Sequence, residues 1–275
     1  MSTPTLAFIG AGNMARAIIG GLLEKGHPPE QVWASAPNDD HLSALRTDFG
    51  IQTTTDNDEC AARADVLVLA VKPQVMKTVC EALSPTVRQH QPLVVSIAAG
   101  LDTDTLNTWL GGKQALIRCM PNTPSLVGEG VSALFATAEV SEAQQTVARQ
   151  LFDSIGLTVW LEDEAQMHAV TGLSGSGPAY FFLILEALEN AATEAGLPAE
   201  TARKLAIQTM GGAANMAATG KDDPATLKQN VMSPGGTTER AIQTFEDGGL
   251  RALIRNAYGA AVTHSEHMAE QLKQS

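Results

Sequence analysis

Gly10, Gly12 and Ala15 form a G-x-G-x-x-A turn, which constrains the fold of this chain more than any other feature of its sequence. The turn follows an apolar run at Leu6–Ile9 that is typical of a strand, and it precedes residues 17–23, which are apolar at helical spacing. Such a turn lets backbone amides approach a pyrophosphate, and the helix N-terminus favours the anion. The sequence therefore predicts a dinucleotide site here, with a bare tight turn as the weaker alternative.

Strand-like and helix-like segments alternate as far as about residue 163. Several of the strands are unbroken apolar runs, as expected when both faces of a parallel sheet are covered. The pattern predicts a doubly wound α/β domain, with helices at Gln74–Leu83 and at Glu142–Ile155, the latter capped by Ser141. The predicted strands are Leu6–Ile9, Val32–Ala36, Ile51–Thr54, Val66–Val71, Leu93–Ile97, Ala115–Cys119, Val131–Ala136 and Leu157–Leu161.

Beyond about residue 163 the strand patterns stop, and only segments that are apolar at helical spacing follow. The expected fold class is an α/β Rossmann-type dinucleotide-binding domain (residues 1–163) followed by an all-α C-terminal dimerisation domain (residues 164–275). Dimerisation is an analogy with proteins of similar architecture. The predicted helices are Ala179–Ala195, Ala199–Thr219, Pro224–Val231, Thr237–Glu246 and Leu250–Leu272.

The composition limits the partners and the compartment. The formal net charge of −12 disfavours nucleic acid and an anionic membrane, because phosphate binding needs clustered Lys and Arg. No apolar run approaches the roughly 20 residues of a membrane span, and the sequence passes from its first residues straight into the first strand. Three scattered cysteines indicate reduced thiols and a cytoplasmic location, and no His/Cys cluster predicts a metal.

The end of the second predicted strand bears on which dinucleotide binds. NAD-binding versions of this turn place an acidic residue there for the ribose 2′-OH, whereas here Asp39 and Asp40 come slightly late. Ser35 and Asn38 can donate hydrogen bonds to a 2′-phosphate, and Asn57 can join them. The sequence favours NADPH, with NADH as the alternative, and ordinary turn chemistry would also explain Ser35 and Asn38.

Three other stretches are candidates for chemistry. Lys72 ends the fourth strand, where both a ligand contact and a solvated lysine remain open. Thr171–Tyr180 places small residues and a proline inside an apolar helical region, which suits either close packing or a ligand. Ser233–Thr238 frees the backbone at two glycines before a helix begins, which favours either a small carboxylate or a helix–loop–helix turn.

None of these stretches contains a histidine, so no general acid of the His/Asp type is visible. Ser174 and Ser176 lack a paired histidine, which argues against nucleophilic serine chemistry. A hydride acceptor that arrives already protonated, such as an iminium, would need no strong acid.

Six motifs occur in order along the chain: Ile9–Ala15, Ala70–Pro73, Ala98–Gly100, Arg118–Pro124, Thr171–Tyr180 and Asn230–Thr238. Through these motifs the sequence resembles the pyrroline-5-carboxylate reductase family over nearly its full length. The resemblance implies that NAD(P)H reduces the C=N bond of 1-pyrroline-5-carboxylate to give L-proline. It also implies interlocked homodimers through the helical domain, which can assemble into decamers.

The resemblance assigns a role to each site residue. The expected cofactor residues are Ile9, Gly10, Ala11, Gly12, Asn13, Met14, Ser35, Asn57, Ala70, Val71, Lys72, Pro73, Ala98, Ala99 and Gly100. The expected substrate residues are Glu164, Asn230, Ser233, Gly235, Gly236, Thr237 and Thr238. Within that group the backbone of Gly235, Gly236 and Thr237 would hold the carboxylate. The Thr238 hydroxyl, the expected catalytic group, would hydrogen-bond the ring nitrogen.

Two other hypotheses share this architecture. A β-hydroxyacid dehydrogenase would use a helix-borne Lys and Asn, but Lys204 has no Asn at helical spacing after it; another imine reductase is a further possibility. A non-catalytic dinucleotide sensor would use the helices only to dimerise, and it would not need the Ser233–Thr238 anion site.

Overall fold

A computed structural model describes residues 3–274, without the side chain of Gln274. The eight predicted strands are all present, each within two residues of its expected limits. They are β1 Leu6–Ile9, β2 Val32–Ser35, β3 Gln52–Thr54, β4 Val66–Leu69, β5 Leu93–Ser96, β6 Leu116–Met120, β7 Gly130–Ala136 and β8 Gly156–Trp160.

The strands form one sheet in the order β3-β2-β1-β4-β5-β6-β7-β8. Every neighbouring pair is parallel except β6 and β7, which run antiparallel. The strand order reverses next to β1, because β2 and β4 lie on either side of it. A ligand of a doubly wound sheet binds at such a reversal, outside the carboxyl ends of the strands. The glycine turn that follows β1 lies at this edge.

Helices cover both faces of the sheet, and β1 shows why its sequence is continuously apolar. Leu6 and Phe8 join the core under α1, α2 and α6, while Ala7 and Ile9 join the core under α3, α4 and α5. The helices of this part are α1 Asn13–Glu24, α2 Asp39–Phe49, α3 Asn57–Ala61, α4 Pro73–His90, α5 Thr103–Trp109, α6 Glu142–Asp153 and α7 Gln166–Val170.

The predicted limits of α6 rest on a local signal that the structure explains. The Ser141 hydroxyl accepts the amide of Gln144, and the Gln144 side chain accepts the amide of Ser141. This reciprocal capping box satisfies amide groups that the first turn of a helix leaves without partners.

The rest of the chain is helical, as expected. After α7 comes one π-helical turn, Thr171–Gly175. The remaining helices are α8 Gly177–Glu194, α9 Ala199–Thr219, α10 Pro224–Val231, α11 Thr237–Asp247 and α12 Leu250–Gln274. The predicted fold class is confirmed: a Rossmann-type sheet domain comes first and a helical part follows.

The described residues divide into two compact units. The first contains the sheet, continues to Ser176, and also includes the chain from Ala261 onward. The second unit is Gly177–Ala260. The compact units therefore divide at a different place from the predicted domain limit after residue 163, because α7, the π turn and the end of α12 belong to the unit of the sheet.

The second unit has almost no core of its own. Ala202 is the one buried apolar side chain in Gly177–Ala260, a segment that the structure describes throughout. Along α8, Phe181, Phe182, Leu183 and Ile184 are all exposed. Four consecutive apolar residues make every side of this part of the helix apolar, and such a helix is normally buried. Conformational entropy opposes the folding of such a unit, so these helices require a second apolar surface to cover them.

Candidate functional site

The glycine turn after β1 leaves room for an anion. Gly10 has φ +108°, and a Cβ atom there would lie 2.7 Å from the Ala70 carbonyl oxygen. At Gly12 a Cβ atom would meet no atom within 4 Å. Gly10 therefore permits the turn itself, whereas Gly12 leaves open space beside the start of α1.

The first turn of α1 suits a phosphate at that position. Gly12 is its N-cap and supplies no side chain to the amides, and no acidic residue lies in the first turn. The Asn13 and Met14 amides precede the first helical hydrogen bond, which Arg16 donates to Gly12. The helix dipole adds positive potential there, so this turn has the electrostatics of a pyrophosphate site.

The last residue of β2, Ser35, bonds to Asn57, the first residue of α3. Ser35 is fully buried, and its hydroxyl donates to Asn57 Oδ1 at 2.7 Å. The Ser35 proton is used in this bond, so the donor that remains to the pair is the Asn57 side-chain NH₂. Nearby in sequence, the Asp39 carboxylate accepts two hydrogen bonds from Arg46, at 2.7 and 2.8 Å. Arg46 was not among the residues predicted for the site, because it lies two turns into α2, away from the end of β2.

Two more loops leave the sheet at the same edge. The Ala70 amide donates to Ile9 O at 2.8 Å, which fixes the Ala70–Pro73 segment beside the glycine turn. Lys72 is exposed and occupies the N-cap position of α4, whose first residue is Pro73, without a side-chain hydrogen bond to the helix. The Ala98–Gly100 loop follows β5, the neighbour of β4. The structure thus brings together at one edge the segments expected to bind the cofactor.

Glu164 is held by the protein itself. Its carboxylate accepts the Thr103 amide at 2.9 Å, the Thr103 hydroxyl at 2.6 Å and Arg118 Nη1 at 3.0 Å. The Arg118 side chain is 5% exposed and that of Glu164 is 20% exposed. An ion pair this buried depends on hydrogen bonds to both partners, and Thr103 supplies them to the carboxylate.

Two of the motifs that carried the resemblance meet in the structure. The Asn122 amide donates to Ser174 O at 3.0 Å and accepts the Val131 amide at 2.8 Å. At Gly175 a Cβ atom would lie 2.6 Å from Met120 Cε. The π turn therefore packs against the Met120 side chain at the end of β6.

His168 lies on α7, four residues after Glu164, and belongs to the same compact unit. Its Nδ1 lies 3.0 Å from the Ser265 hydroxyl on α12. Burial lowers the pKa of the His168 imidazole, and the positive charge of Arg118 lowers it further. The imidazole is therefore neutral near pH 7.

The three cysteines are buried thiols. Burial raises the pKa of Cys60 and of Cys80 to about 12, and that of Cys119 well above its ordinary value. Because the thiolate is the reactive form, these side chains are inert at neutral pH.

The second unit contains the turn between α10 and α11. Gly236 is the N-cap of α11 and gives it no side-chain cap, and Thr237 is its first residue. The Gly236 amide donates to Ser233 O at 2.9 Å, and the Gly235 amide donates to the Glu239 carboxylate at 2.7 Å. Asn230 is exposed, and its amide donates to Asp222 at 3.4 Å. One backbone amide of this turn, that of Gly235, thus already donates to a carboxylate of the protein itself.

The described residues, 3–274, contain no group of three or more His, Cys, Asp or Glu side chains placed to hold a metal ion. None of their helices has the length and apolar composition needed to span a membrane.

Comparisons with known proteins identify the class and the family. Residues 5–100 match the family model for NADP oxidoreductases that depend on coenzyme F420, and residues 164–268 match the model for pyrroline-5-carboxylate reductase dimerisation. The chain is 50% identical over 274 residues to a pyrroline-5-carboxylate reductase of Pseudomonas aeruginosa, with 100% of each chain covered. It is 38% identical to one of Escherichia coli, covering 96% of this chain and 98% of the relative.

Solved structures agree with these relatives. A pyrroline-5-carboxylate reductase from Coxiella burnetii has a TM-score of 0.93 and 43% identity, covering 98% of this chain and 99% of that one. A Plasmodium falciparum reductase of the same kind, solved with NADP bound, has a TM-score of 0.87 and 29% identity, covering 98% and 99%.

The sheet, its open glycine turn and the family models define an oxidoreductase that uses a nicotinamide cofactor. The chain belongs to the pyrroline-5-carboxylate reductase family, which catalyses the final step of proline biosynthesis. Its helical part is an oligomerisation domain, which accounts for the apolar side chains exposed on α8.

Proposed function

We propose that this chain reduces 1-pyrroline-5-carboxylate to L-proline with NADPH as the preferred hydride donor. The observation that carries the proposal is the open space at Gly12 beside the uncapped first turn of α1. It occurs in a chain that aligns over its whole length with a relative named pyrroline-5-carboxylate reductase. The pyrophosphate would lie on Ile9, Gly10, Ala11, Gly12, Asn13 and Met14. The nicotinamide ribose would lie against Ala70, Val71, Lys72, Pro73, Ala98, Ala99 and Gly100.

The surroundings of β2 support the preference for NADPH. Asn57 would donate its side-chain NH₂ to the adenosine 2′-phosphate, and Ser35 would hold that amide in the required orientation. The negative charge of Asp39 is paired with Arg46, so it repels a phosphate less. The NADP-bound Plasmodium falciparum relative agrees with this preference.

The turn between α10 and α11 would bind the substrate carboxylate. The backbone of Gly235, Gly236 and Thr237 would hold the carboxylate at the positive end of the α11 dipole, which would offset the acidic net charge of the chain. The Gly236 amide donates to Ser233 O, so the amides of Gly235 and Thr237 would supply the hydrogen bonds. The substrate carboxylate would replace that of Glu239 on the Gly235 amide. Ser233 would hold the turn through its carbonyl oxygen, and Asn230 would bind beside it.

The chemistry then needs little from the side chains. The imine carbon would accept the hydride that bound NADPH would supply. A substrate that binds as the iminium already has its proton on nitrogen, and the Thr238 hydroxyl would orient that nitrogen by a hydrogen bond. Catalysis would come mostly from orientation of the imine carbon and from electrostatics, with the bound carboxylate fixing the position of the ring. Glu164 would act on the substrate indirectly, because its carboxylate already accepts hydrogen bonds from Thr103 and Arg118.

We also propose the assembly and the compartment. Residues 164–275 would form the substrate-binding and dimerisation domain of a homodimer, and dimers would assemble into a decamer. The exposed apolar side chains of α8 support the dimer. The three unpaired cysteines support the cytoplasm.

The decisive assay mixes purified protein, pyrroline-5-carboxylate and either NADPH or NADH. We expect oxidation of both cofactors, with a higher kcat/KM for NADPH. No turnover with either one would refute the reduction, and a higher kcat/KM for NADH would refute the cofactor preference.

Thr238→Ala tests the assigned hydroxyl. We expect a loss of about 1–3 kcal/mol in transition-state stabilisation, read from kcat/KM for the substrate, with NADPH binding unchanged. Thr238→Ser keeps a hydroxyl and should retain most activity. Equal kinetics for the alanine variant and the wild type would remove Thr238 from the mechanism.

A further inference from the structure

The last turn of α12 packs on the loop that follows β5. At Gly100 the backbone has φ +81°, and a Cβ atom there would lie 2.9 Å from Leu272 Cδ1 and 3.9 Å from Ala269 Cα. Ala269 is buried, and Leu272 packs against the core that lies under α4 and α5. The chain thus returns at its end to the edge of the sheet where the cofactor is proposed to bind.

An ion pair adds to this apolar contact. Lys273 Nζ lies 2.9 Å from the Asp102 carboxylate, two residues beyond Gly100. Asp102 also caps α5 by accepting the Thr105 amide at 2.8 Å. Burial raises the pKa of Asp102, but the hydrogen bonds from Thr105 and Lys273 outweigh it, so the net shift is downward and the carboxylate is charged.

The next residue of the same loop is held from another direction. Both the amide and the hydroxyl of Thr103 donate to Glu164, which is paired with Arg118 of β6. From Gly100 to Thr103 the loop is therefore fixed by Leu272, by Lys273 and by Glu164. The ion pair of Lys273 and the packing of Leu272 come from the end of the chain, far in sequence from any motif of the site.

We propose that Leu272 and Lys273 are positioning residues that hold the Ala98–Gly100 loop in place for the nicotinamide end of the cofactor. This inference rests on the proposed function, which places that loop at the nicotinamide ribose. A hydride transfer site needs its walls fixed within a fraction of an ångström, and a loop without regular structure gains that precision from side chains packed behind it. Loss of either contact lets the loop sample other conformations, and the ordering cost is then added to cofactor binding.

The test measures NADPH dissociation constants by fluorescence titration, without substrate, together with kcat and the melting temperature. We expect Lys273→Ala to raise the Kd for NADPH about three- to fivefold, the size expected of a partly exposed ion pair. Leu272→Ala should raise it as well. Lys273→Arg should restore binding, because Arg keeps the charge opposite Asp102.

The chain offers a matched control variant and a double-mutant cycle between Lys273 and Asp102. Lys273 also contacts Glu270, at 3.3 Å, so Glu270→Gln removes its other partner and should leave the Kd unchanged. Asp102→Asn keeps a good cap for α5 while removing the charge, and should reproduce the effect of Lys273→Ala. The double variant should bind no more weakly than either single variant, since both remove the same pair.

Ala99→Val separates failure of this inference from failure of the proposed site. Ala99 is partly exposed, so added bulk there obstructs a ligand without entering the core. If Ala99→Val leaves the Kd unchanged, the loop does not bind the cofactor and the inference falls with the proposed site. If Ala99→Val weakens binding but Lys273→Ala only lowers the melting temperature, at an unchanged Kd, the inference alone is overturned.

Discussion

Gly10 and Gly12 lie in one turn, yet the structure gives them different tasks. Gly10 has a positive φ and packs against the Ala70 carbonyl, whereas Gly12 has an ordinary extended backbone and open space where a Cβ atom would lie. A side chain at Gly10 therefore disturbs the protein itself. A side chain at Gly12 meets only what binds there.

Paired alanine variants separate these tasks. We expect Gly10→Ala to cost about 1–3 kcal/mol of unfolding free energy and to weaken NADPH binding, because it strains the backbone and forces β1 away from β4. Gly12→Ala should weaken NADPH binding at an unchanged unfolding free energy. Denaturant titration and NADPH titration of both variants measure the two quantities, and unchanged affinity in Gly12→Ala would contradict a phosphate at that position.

His168 gives the stability of the protein a pH dependence. Its pKa is lowered in the folded state, so below pH 6.5 the unfolded chain binds more protons, and the unfolding free energy falls as the pH drops towards the folded pKa. We expect His168→Gln to flatten this fall, measured by urea denaturation at several pH values between 7.5 and 5.5. The pKa of His27 is also lowered by burial, so part of the slope should remain. An unchanged slope in His168→Gln would show that its protonation does not matter to folding.

At the scale of elements, Glu164 connects three of them. It joins α5 through Thr103 and β6 through Arg118, and it comes just before α7. The resemblance assigned it to the substrate, but its carboxylate oxygens already accept three hydrogen bonds. Its first effect is to hold the start of α5 against the sheet.

Glu164→Gln tests that effect. We expect a loss of about 3–5 kcal/mol of unfolding free energy, because the buried Arg118 guanidinium loses its counter-ion. Glu162→Gln is the matched control, since Glu162 is exposed two residues earlier and should cost almost nothing. A stability equal to that of the wild type, together with a raised KM for the substrate, would instead favour direct binding of the substrate by Glu164.

At the scale of the whole molecule, the helical unit depends on a partner surface. Gly177–Ala260 exposes Phe181, Phe182, Leu183 and Ile184 in one helical turn, and the match to a dimerisation domain explains what covers them. We expect the stability of such a protein to depend on its concentration, because association covers apolar surface that the protomer exposes.

A charge on α8 should therefore break the assembly. We expect Phe182→Glu to yield monomer or unfolded protein with little activity, measured by light scattering after gel filtration and by NADPH oxidation. Glu194→Gln, on an exposed position near the end of the same helix, should leave the oligomer intact. An assembly of wild-type size in Phe182→Glu would show that another face forms the interface.

The sequence alone determined the elements and their order. Strand and helix patterns arise from burial repeated every two or every 3.6 residues, so each could be recognised in its own segment, and α9 and α10 begin and end at the predicted residues. The glycine turn was equally local. The limits of the strands and of the C-terminal helices, like the fold class, therefore needed no tertiary information, whereas α4 runs to His90, seven residues past its predicted end at Leu83.

Only the tertiary structure decided which side chains meet. Glu164 binds Thr103 and Arg118, which are 61 and 46 residues away, and Leu272 packs on Gly100. Ser35 is polar and lies at a strand end, yet it is buried, and its hydroxyl donates a hydrogen bond to Asn57. No period in the sequence encodes such pairs, because they arise when distant segments fill the same space and satisfy each other's hydrogen bonds.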